Sequence, residues 1–423
     1  MRKLLIIGLL IFSGLYGRSQ DFGVLSLEDC YKLVRENAPQ LEKLNIIEQQ
    51  TSIENRKIQT GYLPQLSAFG KAWYQSDAMS INLPIPTMEG IEVSQFQYNA
   101  AVNLDQKIFD GGIISIQKEI NSIRGDIQSL ETEVGLYKLN DIVVKLFFGI
   151  ITLEKARSIL ELKIETLNEQ QKIVSSGVEN GMVKMAELDR MNSEIIQAQQ
   201  QVNETELSIE KLEKKLKILC GIESDKQINC EIPTKVERVD TLSRPELELF
   251  ESNRNFLEAS QTLQSKRYIP QLSAYGQAGY SYPGYNFFEN EPAGFYQVGV
   301  KMAWNIFDWN KAKSEKQIIA LNIDQVNIQE NDFLRNIEIE ESSIESEIEN
   351  LEQLMNQDSL IINLRISITR ASSAAFKNGA ATSVEYLNDL NMELKARLDY
   401  ERHNISLIES KAKLALLHGK RSN

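Results

Sequence analysis

Reactive chemistry is scarce in this sequence: 423 residues carry two histidines and three cysteines. His403 and His418 stand 15 residues apart in one helical pattern, with no partner at metal-ligand spacing, and read as structural. Cys220 and Cys230 are near enough in sequence to pair in an oxidising compartment, and ordinary buried or free thiols fit them equally well. No nucleophile, base and orienter stand together and no metal or cofactor ligands cluster, which makes an enzyme the weakest class. Basic residues are outnumbered, 46 Lys and Arg against 59 Asp and Glu, for a formal charge of −13. A nucleic-acid surface needs clustered Lys and Arg, so nucleic acid is not an expected partner.

Long apolar runs are missing beyond the N-terminus, where a spanning helix would take about 20 apolar residues. The N-terminus itself has Arg2 and Lys3 before an apolar run from Leu4 to Leu15, with Gly17 and Ser19 near a cut, so residues 1–19 read as a secretory signal. A membrane anchor is the competing reading, for which the run is short. Cys30 lies too far along to be a lipidated N-terminus. Proline is absent between Pro86 and Pro233 and again after Pro292, which leaves room for very long helices.

The sequence also says the same thing twice. Tyr62-Leu63-Pro64-Gln65-Leu66-Ser67-Ala68-Phe69-Gly70 returns as Tyr268-Ile269-Pro270-Gln271-Leu272-Ser273-Ala274-Tyr275-Gly276. Ile108-Phe109-Asp110 returns as Ile306-Phe307-Asp308, Asn180-Gly181 as Asn378-Gly379, and Leu219-Cys220-Gly221 as Leu417-His418-Gly419, each at an offset of 198. The prolines Pro64 and Pro270 are 206 apart, so the 8-residue excess falls between proline and phenylalanine. A long-period duplication marks two structurally equivalent halves. The segment that varies in length behaves as a surface loop, and the remainder has its length held fixed.

Each half is expected to open with a helix, Ser26 to about Thr60 and Arg244 to about Lys266, started by Ser26 with Asp29 or by Ser243 before Pro245. The motif proline then switches the chain to extended structure. Phe96, Tyr98, Ala100, Val102 and Leu104 alternate with polar or small residues, and Tyr296, Val298, Val300, Met302 and Trp304 take the matching parity. Strands of about ten alternating residues with aromatics near their ends fit a transmembrane barrel, with a soluble sheet as the competing reading. Four strands cannot close a barrel, so membrane strands would have to be shared by two, three or four copies.

After each Phe-Asp pair the period returns to that of a helix. Ile113, Ile116, Ile120, Ile123, Ile127, Leu130, Val134 and Tyr137 form a coiled-coil seam, and Leu188, Met191, Ile195 and Ala198 begin a second. The resulting division is a first repeat over 20–221, with strands about 64–76 and 94–108, a long helix about 110–177 and a return helix about 183–220. A linker over 222–243 leads to a second repeat over 244–423, with strands about 270–281 and 294–306, a long helix about 308–376 and a return helix about 382–418. The short opening helix of each half would cover the part of the long helix that its return helix cannot reach.

The duplicated proline motif, the Phe-Asp pairs (Phe109, Asp110, Phe307, Asp308) and the glycine-bearing turns at Gly181 and Gly379 resemble, in order and spacing, the TolC family of outer-membrane efflux proteins. The resemblance implies a mixed, mostly α fold with two repeats. In it a homotrimer shares one 12-stranded β-barrel in outer-membrane lipid, continued by a periplasmic α-helical barrel. It implies a passive exit duct of a tripartite pump or type I secretion system, joined to an inner-membrane transporter through a periplasmic adaptor. Entrance acids of the family are matched by Glu187 and Glu385. A second family acid is matched by Asn388, with Asp389 adjacent. The adaptor-meeting tips are matched by Gly181, Met182, Val183, Gly379 and Ala380. A tyrosine and an arginine that help lock relatives shut are replaced by Phe376 and Ala381, which puts a polar lock in doubt. The alternative to a duct is a soluble periplasmic coiled-coil scaffold or adaptor, and Glu187 and Glu385 would then be solvated first-turn acids favouring a helix N-terminus.

Overall fold

The computed structural model describes residues 23–77, 80–81, 91–234, 241–286 and 289–419. The expected signal segment lies outside these residues. Helices α1 (Leu27–Asn37) and α2 (Gln40–Gln59) and a 3-10 turn at Thr60–Tyr62 lead to strand β1 (Gln65–Tyr74). A two-residue pair, β2 (Ser80–Ile81) with β3 (Ile91–Glu92), sits in the first hairpin before β4 (Phe96–Phe109). Helices α3 (Ile113–Glu179) and α4 (Met185–Cys220) complete the first half. The second half repeats this order with α5 (Pro245–Lys266), β5 (Gln271–Tyr282), β6 (Ala293–Ala303), α6 (Lys311–Lys377) and α7 (Ser383–Leu417).

The opening segment is two helices rather than one. Ala38 is extended, with ψ 127, because a residue preceding proline is sterically excluded from the helical region and Pro39 follows it. The break lets α1 turn its buried face, Leu27, Cys30, Tyr31 and Val34, into a core that α2 does not reach. Ser26 caps α1 in a reciprocal box with Asp29, its Oγ accepting from the Asp29 N–H at 3.1 Å. Ser243 is not a cap: Arg244 takes that position before Pro245, and the Ser243 N–H donates instead to the His418 carbonyl at 2.8 Å.

Each long helix has 67 residues, about 100 Å at 1.5 Å per residue. The return helices, of 36 and 35 residues, pack on the halves far from the sheet, while α2 and α5 cover the sheet-proximal stretches. Helix α3 is central, touching α2, α4, α5 and α7. Three apolar clusters hold this wall. The largest lies at its middle, where Val143, Phe147, Phe148 and Ile151 meet α1, the end of α4 and the end of α7. A second joins the two helical hairpins near their far ends through Leu167, Met191, Tyr386 and Leu390. A third sets Ile116 and Ile120 against Ala259 near the sheet.

The four long strands form one antiparallel sheet in the order β1-β4-β5-β6. Strand β6 stops at Ala303, short of the expected 306, whereas β4 runs to Phe109. Strand β4 is paired on both sides and β6 on one, so the last residues of β6 have no ladder on their outer side to hold them.

Candidate functional site: the sheet and the helical tips

Register sorts the sheet into two unlike faces. Leu66, Ala68, Gly70, Ala72 and Tyr74 of β1 lie opposite Leu104, Val102, Ala100, Tyr98 and Phe96 of β4. The same face continues across β5 to Met302, Val300, Val298 and Tyr296 of β6. It is apolar and uncovered: Tyr296 is 82% exposed and Val298 78%. The other face pairs Gln65 with Asp105, Ser67 with Asn103, Lys71 with Asn99, and Gln277 with Gln297. There Lys301 is ion-paired to Asp105 across β5. Aromatic side chains band the apolar face at its loop end, where the rings of Tyr98 and Tyr282 lie 5.8 Å apart. At the helical end, Phe307 and Trp309 pack edge to face at 4.9 Å.

The strand-to-helix junction is built the same way in both halves. Asp110 is buried and accepts from the N–H groups of Gly112 at 2.8 Å and Ile114 at 2.7 Å and from the Tyr62 hydroxyl at 3.0 Å. Burial pushes its carboxyl up, but the two backbone donors and the phenol outweigh that and hold it below the ordinary aspartate value. Asp308 likewise accepts from the Ala312 N–H at 2.9 Å and from the Tyr268 hydroxyl. Gly111 and Gly112 turn the first junction at positive φ, and in the second half Trp309 and Asn310 take the same left-handed conformation.

At the far end, the two helix–helix turns are near copies. Gly181 and Gly379 have φ +71 and +70, and the Met182 and Ala380 N–H groups close the preceding helices on Gly177 and Ala375 at 2.8 Å. The acids matched in sequence fall on the first turns of α4 and α7 but do different work. Glu385 caps its own helix, accepting from the Thr382 N–H at 3.1 Å. Glu187 bridges the turns, accepting from Arg190 at 3.0 Å and from the hydroxyl of the fully buried Ser383. Asn388 is exposed and Asp389 half-buried; the Asp389 carbonyl accepts from Thr369 at 3.2 Å. Met182 is exposed and Val183 half-buried. Phe376 stacks on Tyr386 at 5.7 Å with rings 3° from parallel, and burial pushes the Tyr386 hydroxyl up to about 12.

Sequence reasoning missed Ser383 and Tyr386 as partners across the tip. The Tyr62–Asp110 and Tyr268–Asp308 bonds do have a sequence signal, the joint repetition of all four residues in the two halves. His403 and His418 pair with Asp358 at 2.6 Å and Glu341 at 3.0 Å. Cys30, Cys220 and Cys230 are all buried and all thiols in this structure. Among the described residues no helix is long and apolar enough to cross a membrane, and no group of side chains could hold a metal.

Fold and site define a two-repeat protein that carries an alternating, two-faced β-sheet on a helical stalk. That is the fold of the TolC-like outer-membrane channels. CusC, whose structure concerns folding and transmembrane channel formation, superposes with TM-score 0.72 at 12% identity, over 93% of this chain and 92% of that one. VceC, an outer-membrane protein of Vibrio cholerae, gives 0.67 at 11% over 93% and 95%. The Campylobacter jejuni outer-membrane channel CmeC gives 0.66 at 15% over 94% and 86%. These neighbours are membrane and channel proteins rather than enzymes. No family model and no curated protein matches the chain.

Proposed function

We propose that this chain is the outer-membrane exit duct of a tripartite efflux pump or type I secretion system. Three copies share a twelve-stranded barrel, and their helices continue it as a periplasmic conduit that passes substrate without driving it. The observation that carries the reading is the sheet: an uncovered apolar face with aromatic bands, and two long edges, β1 and β6, unpaired among the described residues. Water-filled surroundings would penalise that face, and lipid would penalise open edges, since each unpaired backbone group there costs several kcal/mol. Pairing β1 of one copy with β6 of the next satisfies both, and the fold shared with outer-membrane channels supports it.

In this reading the apolar face meets outer-membrane lipid and the polar face lines the barrel. The first turns of α4 and α7 form the periplasmic entrance, where Glu187, Glu385 and Asp389 contribute negative field and Asn388 is neutral. Gly181, Met182, Val183, Gly379 and Ala380 meet the periplasmic adaptor, which links the duct to an inner-membrane transporter. A soluble scaffold would have to cover the sheet with other material. Fractionation, detergent extraction and gel mobility with and without heating test the proposal. A heat-sensitive trimer in the outer membrane is expected, and a soluble monomer would overturn it.

A further inference from the structure

Cysteines from three separate stretches meet in the central core. Cys30 lies on α1, Cys220 is the last residue of α4, and Cys230 is bridged through its backbone to Leu25. Cys30 and Cys220 are both 0% exposed. Their thiols are in hydrogen-bond contact, so the partners in touch are 190 positions apart in the chain, not the near neighbours Cys220 and Cys230. The supports of this pair are fixed by other bonds. The Asn37 amide, at the end of α1, donates to the Cys220 carbonyl at 3.0 Å and to the Leu33 carbonyl at 2.9 Å. Leu25, just before α1, donates to the Asn229 carbonyl at 2.8 Å.

We propose that in the exported protein Cys30 and Cys220 are joined by a disulfide that staples α1 to the C-terminal end of α4, with Cys230 left as a buried thiol. Two S–H bonds are lost and one S–S bond forms. The two electrons and two protons pass to a protein disulfide oxidant, which leaves as a dithiol. Both sulfurs are fully buried in the folded core, so an oxidant reaches them only while the core is still open, and afterwards the same burial shields the bond from reductant. A link across so long a stretch removes much freedom from the unfolded chain, and it fixes the closure of the first repeat around the middle of α3.

The inference rests on the proposed export to an oxidising compartment. The test is alkylation of the full-length protein from detergent-extracted outer membranes, denatured without reductant, read by intact mass and peptide mapping. One alkylated cysteine, Cys230, and a Cys30–Cys220 linked peptide are expected, rising to three alkylated cysteines after reduction. Cys230→Ala should leave the link intact with no label. Three labels without reduction, or a link through Cys230, would overturn the proposal, and the unmutated chain alone decides it. Protein absent from the outer membrane counts against the proposed duct. In that case the same labelling after refolding in a glutathione redox buffer still decides the pairing.

Discussion

The Tyr62 hydroxyl donates to Asp110 at 3.0 Å, tying the proline motif that opens the sheet to the Phe-Asp pair that closes it. Asp110 at the same time receives the first free N–H groups of α3, so one carboxylate sets where the strand ends and where a 67-residue helix begins. Losing such a cap costs about 0.5–2 kcal/mol. Asp110→Ala should therefore lower the apparent melting temperature, and Tyr62→Phe should lower it less. The pH dependence has a definite sign. The folded carboxyl titrates below its unfolded value, so its contribution is complete above about pH 4 and fades as pH falls through the lower, folded value. Melting of wild type and Asp110→Asn across pH 2 to 7 checks this: the variant should lose less stability on acidification.

Much of the sheet could be read from the sequence, because a period of two assigns every residue to a face. Phe96 through Leu104 and Tyr296 through Met302 lie on the one apolar face that their parity requires. The break at Pro39 was legible by the rule that applies at Pro64, that a residue before proline leaves the helical region, but the helical period running on past it masks the signal. Contacts between distant segments left no local trace. Glu187 with Ser383 and Cys30 with Cys220 each depend on how whole helices dock, while the Tyr62–Asp110 pair does leave a trace, since both residues recur together in the second half.

Ser383 carries the hydrogen bond that joins the two helical turns through Glu187. Ser383→Ala removes a buried donor and leaves Glu187 its ion pair with Arg190, a loss of about 1 kcal/mol. Hydrogen exchange should quicken in the turns around 177–187 and 376–387 and stay unchanged in the central core around Val143 and Phe147. Equal quickening in both places would show that the bond does not act locally.

Two left-handed glycines should respond differently to the same change. Gly111 has φ +71, and an added Cβ would lie 2.9 Å from the Ile269 Cβ. Gly181 has the same φ but meets nothing within 4 Å. Gly181→Ala should cost the backbone strain alone, about 1–2 kcal/mol, and Gly111→Ala a further 1–3 kcal/mol for overpacking. Paired thermal melts of the two variants check the order.

The open space around Gly181 and Gly379 also separates folding from docking. An added Cβ at either position meets nothing within 4 Å, so a side chain there starts out into open space. Under the proposed function these residues are the surface that an adaptor approaches. Gly181→Trp with Gly379→Trp should therefore leave heat-sensitive trimers in the outer membrane and abolish export, measured as substrate accumulation in cells. Asn tolerates positive φ and is small, so Gly181→Asn with Gly379→Asn should retain most export. If the tryptophan variant exports normally, the adaptor does not meet the duct at these turns; if its trimers are lost, the turns serve assembly rather than docking.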